Sequence, residues 1–181
     1  MIALAAGRLF AAGGYVGTRM EDVAAAADVT KPMVYRHFGS KKELYLALLA
    51  RHEDDLPTFV EGVDGEPGQH SGQAIVRQIL DYWLDYVRAN GHAWAMLFRD
   101  SSGDDDIQAS RERVSLTARK VMAGFIAERA GSRIPPEQVE PTAELLTSGL
   151  AGLALWWIDR PDVPKSVLVE VAARMSAPAV G

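Results

Sequence analysis

Between residues 31 and 41 the chain sets Lys31, Pro32, Met33, Tyr35, His37 and Lys41 in close succession. No nucleophile stands beside a base in this group; it is a set of hydrogen-bond donors with one soft apolar side chain. A lysine can donate to O6 and N7 of guanine, and a methionine can meet a thymine methyl. A tyrosine hydroxyl and an imidazole suit phosphate oxygens, which position a protein on a duplex without reading it. Lys31 and Met33 are therefore expected to read bases, and Tyr35 and His37 to hold phosphates. Lys41, in the first turn of a following helix, would add its ammonium to exposed amides at the positive end of the helix dipole. Thr18, Arg19 and Thr30 are placed to help from neighbouring helix starts. The plainer alternatives are a packed tyrosine, a solvated histidine and an ordinary charged helix start at Lys41 and Lys42.

Such residues need short helices to present them, and the punctuation for these is in the sequence. Helical periodicity dominates, with no run of strict alternation, so the chain reads as all-α. A first helix over about 2–12 carries Ile2, Ala6, Leu9 and Phe10 on one face and is expected to stop at Gly13-Gly14. It leaves no room for a cap or a basic arm, which suggests that residues upstream are missing from this chain. Thr18-Arg19-Met20-Glu21 and Ser40-Lys41-Lys42-Glu43 both have the form of a capping box. Between them, Thr30-Lys31-Pro32-Met33 starts a third helix, with proline tolerated in the first turn. Here Met33 stands where the box would have a glutamate, and a carboxylate there would face phosphates. Val29 can staple onto Val34, and Val34 with Phe38 makes an inward i, i+4 pair. Residues 16–48 thus spell a helix-turn-helix with its turn at Ala27-Asp28-Val29, the second helix lying in the major groove.

The charge is divided in the same way. The chain of 181 residues has a net charge of −5, yet residues 1–52 hold seven bases and four acids, a net +3, leaving −8 for the remainder. A positive head can approach phosphates while an acidic body discourages binding through the wrong face. There is no cysteine, which excludes disulfides, thiolate metal sites and cysteine nucleophiles. Neither a membrane-length apolar run nor a signal layout is evident, so a cytoplasmic protein without cofactor, metal or membrane partner is expected.

The run Gly14-Tyr15, Thr18, Val23-Ala24, Ala27, Val29-Thr30-Lys31, Val34-Tyr35, His37-Phe38, Ser40-Lys41 and Glu43-Leu44 resembles the DNA-binding domain of the TetR family across about residues 2–50. The match is dense and colinear. It departs at Met33, where members commonly have a small residue, and in lacking a basic arm. The resemblance implies that Lys31, Pro32, Met33, Tyr35, His37 and Lys41 occupy positions that contact the operator. It further implies a homodimer, repression more often than activation, and release by a small molecule bound in the C-terminal domain. The expected layout is a three-helix helix-turn-helix domain at 1–52 and a larger helical ligand-binding and dimerisation domain at 53–181, with about nine helices in all.

A Gly- and Pro-rich linker at 62–72 follows the fourth helix. Beyond it, helices are expected near 73–90, 92–99, 106–130, 137–158 and 164–176. The first of these is apolar over most of its circumference and should be buried. Trp83, Tyr86, Trp94, Phe98, Met122, Phe125 and Trp156 could line an apolar pocket; plain core is the alternative for each. Leu146, Leu150, Leu153 and Trp157 form one stripe with Gly149 alongside, and Val167, Val171 and Met175 form another. These could pair with a second copy in a four-helix interface, packing within one subunit being the alternative. Two rival functions differ in class. An enzyme could use Asp104-Asp105-Asp106 with His92 on a metal, but adjacent acids diverge and lack calcium-loop spacing. A protein-interaction module could use the C-terminal apolar helices as a docking surface.

Overall fold

The computed structural model describes residues 1–60, 72–99, 103–130 and 133–180. Most of the expected linker at 62–72, and parts of the turns at 100–103 and 131–135, lie outside the described residues. Within them the chain is all-α: α1 (Ile2–Gly17), α2 (Met20–Ala26), α3 (Lys31–His37), α4 (Lys41–Asp55), a 3-10 turn (Leu56–Phe59), α5 (Gly72–Ala89), α6 (Gly91–Phe98), α7 (Asp105–Ala130), α8 (Pro136–Ile158) and α9 (Lys165–Val180). No helix among the described residues is long and apolar enough to cross a membrane.

Two compact units are formed. The first takes 1–54 together with 90–115, and the second takes 55–89 with 116–181. In the first, α1, α2, α3 and α4 bury Ala6, Phe10, Met20, Val23, Ala24, Val34, Leu44, Tyr45, Leu48 and Leu49, and Met96 of α6 and Ile107 of α7 complete the same core. α4 supplies Leu44, Tyr45, Leu48 and Leu49 at helical spacing. The Tyr45 ring meets Phe10 edge-on at 4.9 Å between centroids, and its hydroxyl donates to the Met96 carbonyl at 3.1 Å. A buried phenol needs such a partner.

The first helix breaks at Gly13-Gly14 as expected, but a clean end is absent because one further turn follows. Gly14 adopts φ 67°, ψ 177°, a region essentially confined to glycine, so α1 kinks there and then makes one more turn. The first capping box is also absent. The Thr18 hydroxyl turns back and donates to the Gly14 carbonyl that the kink exposes, at 2.9 Å, and Arg19 takes the N-cap position without a side-chain cap. The second box forms in shifted register: Glu43 N–H donates to Ser40 Oγ at 3.1 Å, while the Glu43 carboxylate accepts from Gly39 N–H at 2.8 Å.

In the second unit α5 packs on α9 and α8. Its inner face is Ile75, Val76, Leu80, Trp83, Leu84 and Val87, whereas Tyr82 is exposed. The helix is thus buried along its apolar face, as expected, and open on one side, where Asp81 and Asp85 both receive Lys165 at 2.8 Å. Arg77 of α5 likewise pairs with Glu170 of α9 at 2.6 Å.

Candidate nucleic-acid interface

The connection between α2 and α3 determines how α3 is presented. Val29 N–H donates to Ala24 O at 3.0 Å and Asp28 N–H to Ala25 O at 3.2 Å, with Asp28 at φ 54°. This pair of bonds around a left-handed residue is the Schellman closure, in which glycine is usual. It ends α2 at once and turns the chain toward Thr30, whose carbonyl accepts from Met33 N–H at 2.9 Å and Val34 N–H at 3.3 Å. Thr30 makes no side-chain cap.

α3 then attaches through one residue. Val34 is fully buried, and every other residue from Lys31 to His37 is exposed, Met33 at 47% and Tyr35 at 42%. A free helix of seven residues would not persist in water, so this one is held by Val34, the Asp28 turn and Phe38 packed behind it. Thr30, Lys31, Pro32, Met33, Tyr35 and His37 share that exposed element, and Arg19 is exposed at the start of α2.

Two expected contacts are placed otherwise. Thr18 is buried, with its hydroxyl proton given to Gly14. Lys41 donates to the carbonyls of Tyr15 at 2.8 Å and Thr18 at 3.1 Å, and its ammonium lies 4.4 Å from the Tyr15 ring centroid. It thus ties down the corner that follows the kink, and at most one of its three N–H donors is left for a phosphate. The sequence shows a lysine at a helix start; it does not show which carbonyls the Gly14 kink will turn toward it.

Spacing places Glu21 in a capping box and Lys42 at a charged helix start, and shows neither of the ion pairs that they make. Glu21 forms an ion pair with Lys31 of α3, and Arg19 Nε lies 3.9 Å from its other oxygen. The hydrogen bond from Lys31 holds the Glu21 carboxyl below the usual carboxylate range and raises the lysine in return. Lys42 pairs with Asp106 and, at 3.0 Å, with Asp104, so these two acids anchor the start of α7 on α4. The lysine's hydrogen bond keeps Asp104 below its ordinary value.

In the second unit, Val60, Val76, Ile79, Leu80, Met122, Phe125, Leu146, Leu150 and Ser176 line a partly open cavity of about 50 Å³. Of the aromatic and methionine residues expected at a pocket, it contains Met122 and Phe125. Trp83 is buried elsewhere in α5. The Tyr86 hydroxyl donates to Asp55 at 2.9 Å. Trp94 and Phe98 stack on each other in the first unit, at 5.6 Å between centroids. Trp156 is exposed with Arg160 over its ring. The α8 stripe is also redistributed. Leu146 and Leu150 line the cavity and Leu153 is half-buried. Trp157 is buried, donating from Nε1 to Val163 O at 2.8 Å with Arg88 over its ring. The outward line on α8 is instead Leu145, Gly149, Gly152 and Trp156, while Val167, Val171 and Met175 are exposed on α9 as expected.

An all-helical chain with a helix-turn-helix whose second helix stands clear of its own core belongs to the class of helical DNA-binding regulators. The model for bacterial regulatory proteins of the tetR family matches residues 2–48. The HTH-type transcriptional repressor SCO4008 of Streptomyces coelicolor is 31% identical over 162 residues, covering 88% of this chain and 77% of that one. The HTH-type transcriptional activator FasR of Mycolicibacterium smegmatis is 30% identical over 115 residues, 64% of this chain; the chain spans about half the length of that relative, 52%. A TetR-like transcriptional regulator from Rhodococcus sp. RHA1 shares the fold with a TM-score of 0.75 at 22% identity, covering 98% of this chain and 91% of that one. The chain belongs to the tetR family of bacterial regulatory proteins. That family consists of transcriptional regulators and not enzymes.

Proposed function

We propose that the chain is a ligand-responsive transcriptional regulator, a repressor that binds a near-palindromic operator as a homodimer and is released by a small, largely apolar effector. The observation that carries this reading is the exposure of α3 on all sides but Val34, since a helix must be bare to enter a major groove about 12 Å wide. Residues 1–52 act as the DNA-binding segment, and 53–181 bind the effector and dimerise. Lys31 and Met33 meet base edges; Arg19, Thr30, Tyr35, His37 and the remaining donor of Lys41 meet the phosphate backbone, with Pro32 shaping the helix start.

Support for a homodimer comes from α8 and α9. Leu145 and Met175 are each 73% exposed, and a Cβ added to Gly149 or Gly152 would meet nothing within 4 Å. Among the described residues those glycines are therefore not needed for packing, and they permit a second helix to approach closely. The two stripes would make an isologous four-helix interface. The cavity supports an apolar effector through its lining. At about 50 Å³ it is far below the roughly 300 Å³ or more of a formed ligand pocket, so the effector must part the helices, with flexible Met122 able to repack.

Selection of bound duplexes from a random pool, followed by a salt titration on the selected sequence, tests the reading. A regulator loses affinity steeply as salt rises. Absence of salt-dependent binding to any duplex would overturn it. A reporter placed behind the selected sequence should rise when the chain is removed; a fall would assign activation instead.

A further inference from the structure

Lys31 stands where its ammonium could serve a base or a phosphate, yet in the free chain Glu21 already holds it. The pair joins the first turn of α2 to the first residue of α3, and both side chains are about half exposed. The Lys31 ammonium also lies 5.8 Å from the centroid of the Tyr35 ring, which steers it along α3. Glu21 does not complete a capping box here, because Thr18 faces Gly14 and Arg19 occupies the N-cap. The carboxylate thus stands among the exposed cations of the DNA-facing surface, next to Lys31 and Arg19.

Resting on the DNA-binding reading, we propose that Glu21 is a specificity-determining residue: it withholds Lys31 from phosphates and releases or shares it only with a neutral acceptor on a base edge. The physical reason is a difference between the two kinds of acceptor. A lysine has three donors and can bridge Glu21 to guanine O6 or N7, because neither base atom carries a full charge. Bridging Glu21 to a phosphate brings two anions within a few ångströms of each other, which Coulomb repulsion opposes. A random duplex offers phosphates at every step, and without Glu21 the lysine would take any of them. Specificity is a difference of affinities, and an element that weakens the wrong complex raises it as surely as one that strengthens the right complex.

The test uses the full chain and its Glu21→Gln, Lys31→Met and double variants, each titrated with the selected duplex and a scrambled one between 50 and 200 mM salt. Glu21→Gln should tighten the scrambled duplex more than the selected one and steepen its salt slope by about 0.9, roughly a threefold change over that range. In the Lys31→Met background the same substitution should leave the ratio of the two affinities unchanged. The inference is overturned if Glu21→Gln does not alter the ratio. It is equally overturned if the ratio narrows as much without Lys31, since Glu21 would then act only as bulk negative charge. A wild-type chain that binds no duplex takes down the DNA-binding reading, and this inference with it, before any variant is compared. Unfolding midpoints of all four proteins keep a folding defect separate from either result.

Discussion

A lysine at a helix start can serve water, a phosphate or its own backbone, and Lys41 serves two carbonyls of the corner between α1 and α2. Lys41→Ala should therefore weaken duplex binding and lower the unfolding midpoint together. Tyr35→Phe, by contrast, should weaken all duplexes about fivefold, the worth of one hydrogen bond near 1 kcal/mol, with the midpoint unmoved. If both variants lost affinity at unchanged stability, the internal role of Lys41 would be wrong. Asp28 offers a gain instead. It holds a left-handed conformation that glycine adopts without strain, so Asp28→Gly should stabilise the chain by up to about 1 kcal/mol in urea unfolding. At this scale the identity of the exposed α3 residues was legible, because Val34 and Phe38 alone had an inward partner. The Glu21–Lys31 pair was not legible: ten residues and a turn separate its members, and only the Schellman closure brings them together.

α6 meets α1 where Gly7 leaves room for the His92 ring; a methyl on Gly7 would lie 2.4 Å from its Cδ2. Burial, and the positive charges of Arg8 on α1 and Arg51 on α4, hold His92 below its ordinary 6.5. The His52 ring of α4 lies 6.1 Å from it. A histidine kept neutral in the fold binds fewer protons there than in the unfolded chain, so stability falls as pH drops below about 6.5. The carboxylates Glu21 and Asp104, held low by their lysines, lose their contribution only at lower pH. Urea midpoints should thus fall between pH 7.5 and 5.5 for wild type and fall less for His92→Phe; equal falls would remove His92 from the account. Tyr45→Phe, which removes the hydroxyl's hydrogen bond to the Met96 carbonyl, should cost about 1 kcal/mol at either pH. Helix boundaries beyond residue 72 were legible to within a residue, set by glycine and proline at the breaks, except at the end of α9, which runs on to Val180 where a stop near 176 was expected. The inward face of α8 was not. Leu145, Leu146, Leu150, Leu153, Trp156 and Trp157 put apolar groups on more than one stripe, and a period of 3.6 cannot say which stripe a neighbour will cover.

For the whole chain, the class of fold was readable from periodicity and the regulator family from the 2–50 run, whereas the membership of the compact units was not. Nothing in the composition of 90–115 marks it as part of the first unit, because its apolar residues suit any core. The dimer prediction belongs at this scale: Met175→Glu, which adds charge to an exposed stripe, should shift a dimer toward monomer in sedimentation, while Trp157→Ala should lower stability through its buried ring. An unchanged association state for Met175→Glu would move the interface away from α9. The shared core of Tyr45, Met96 and Ile107 has a consequence for portability. Residues 1–54 are not a cartridge that can be clipped out and fused to another sensor: cut at 54, Tyr45 loses the carbonyl its hydroxyl serves and Lys42 loses both its acids. A transplant that is to read DNA must carry 90–115 with it, so in this chain an exchange of sensors between regulators is confined to the stretches on either side of that segment.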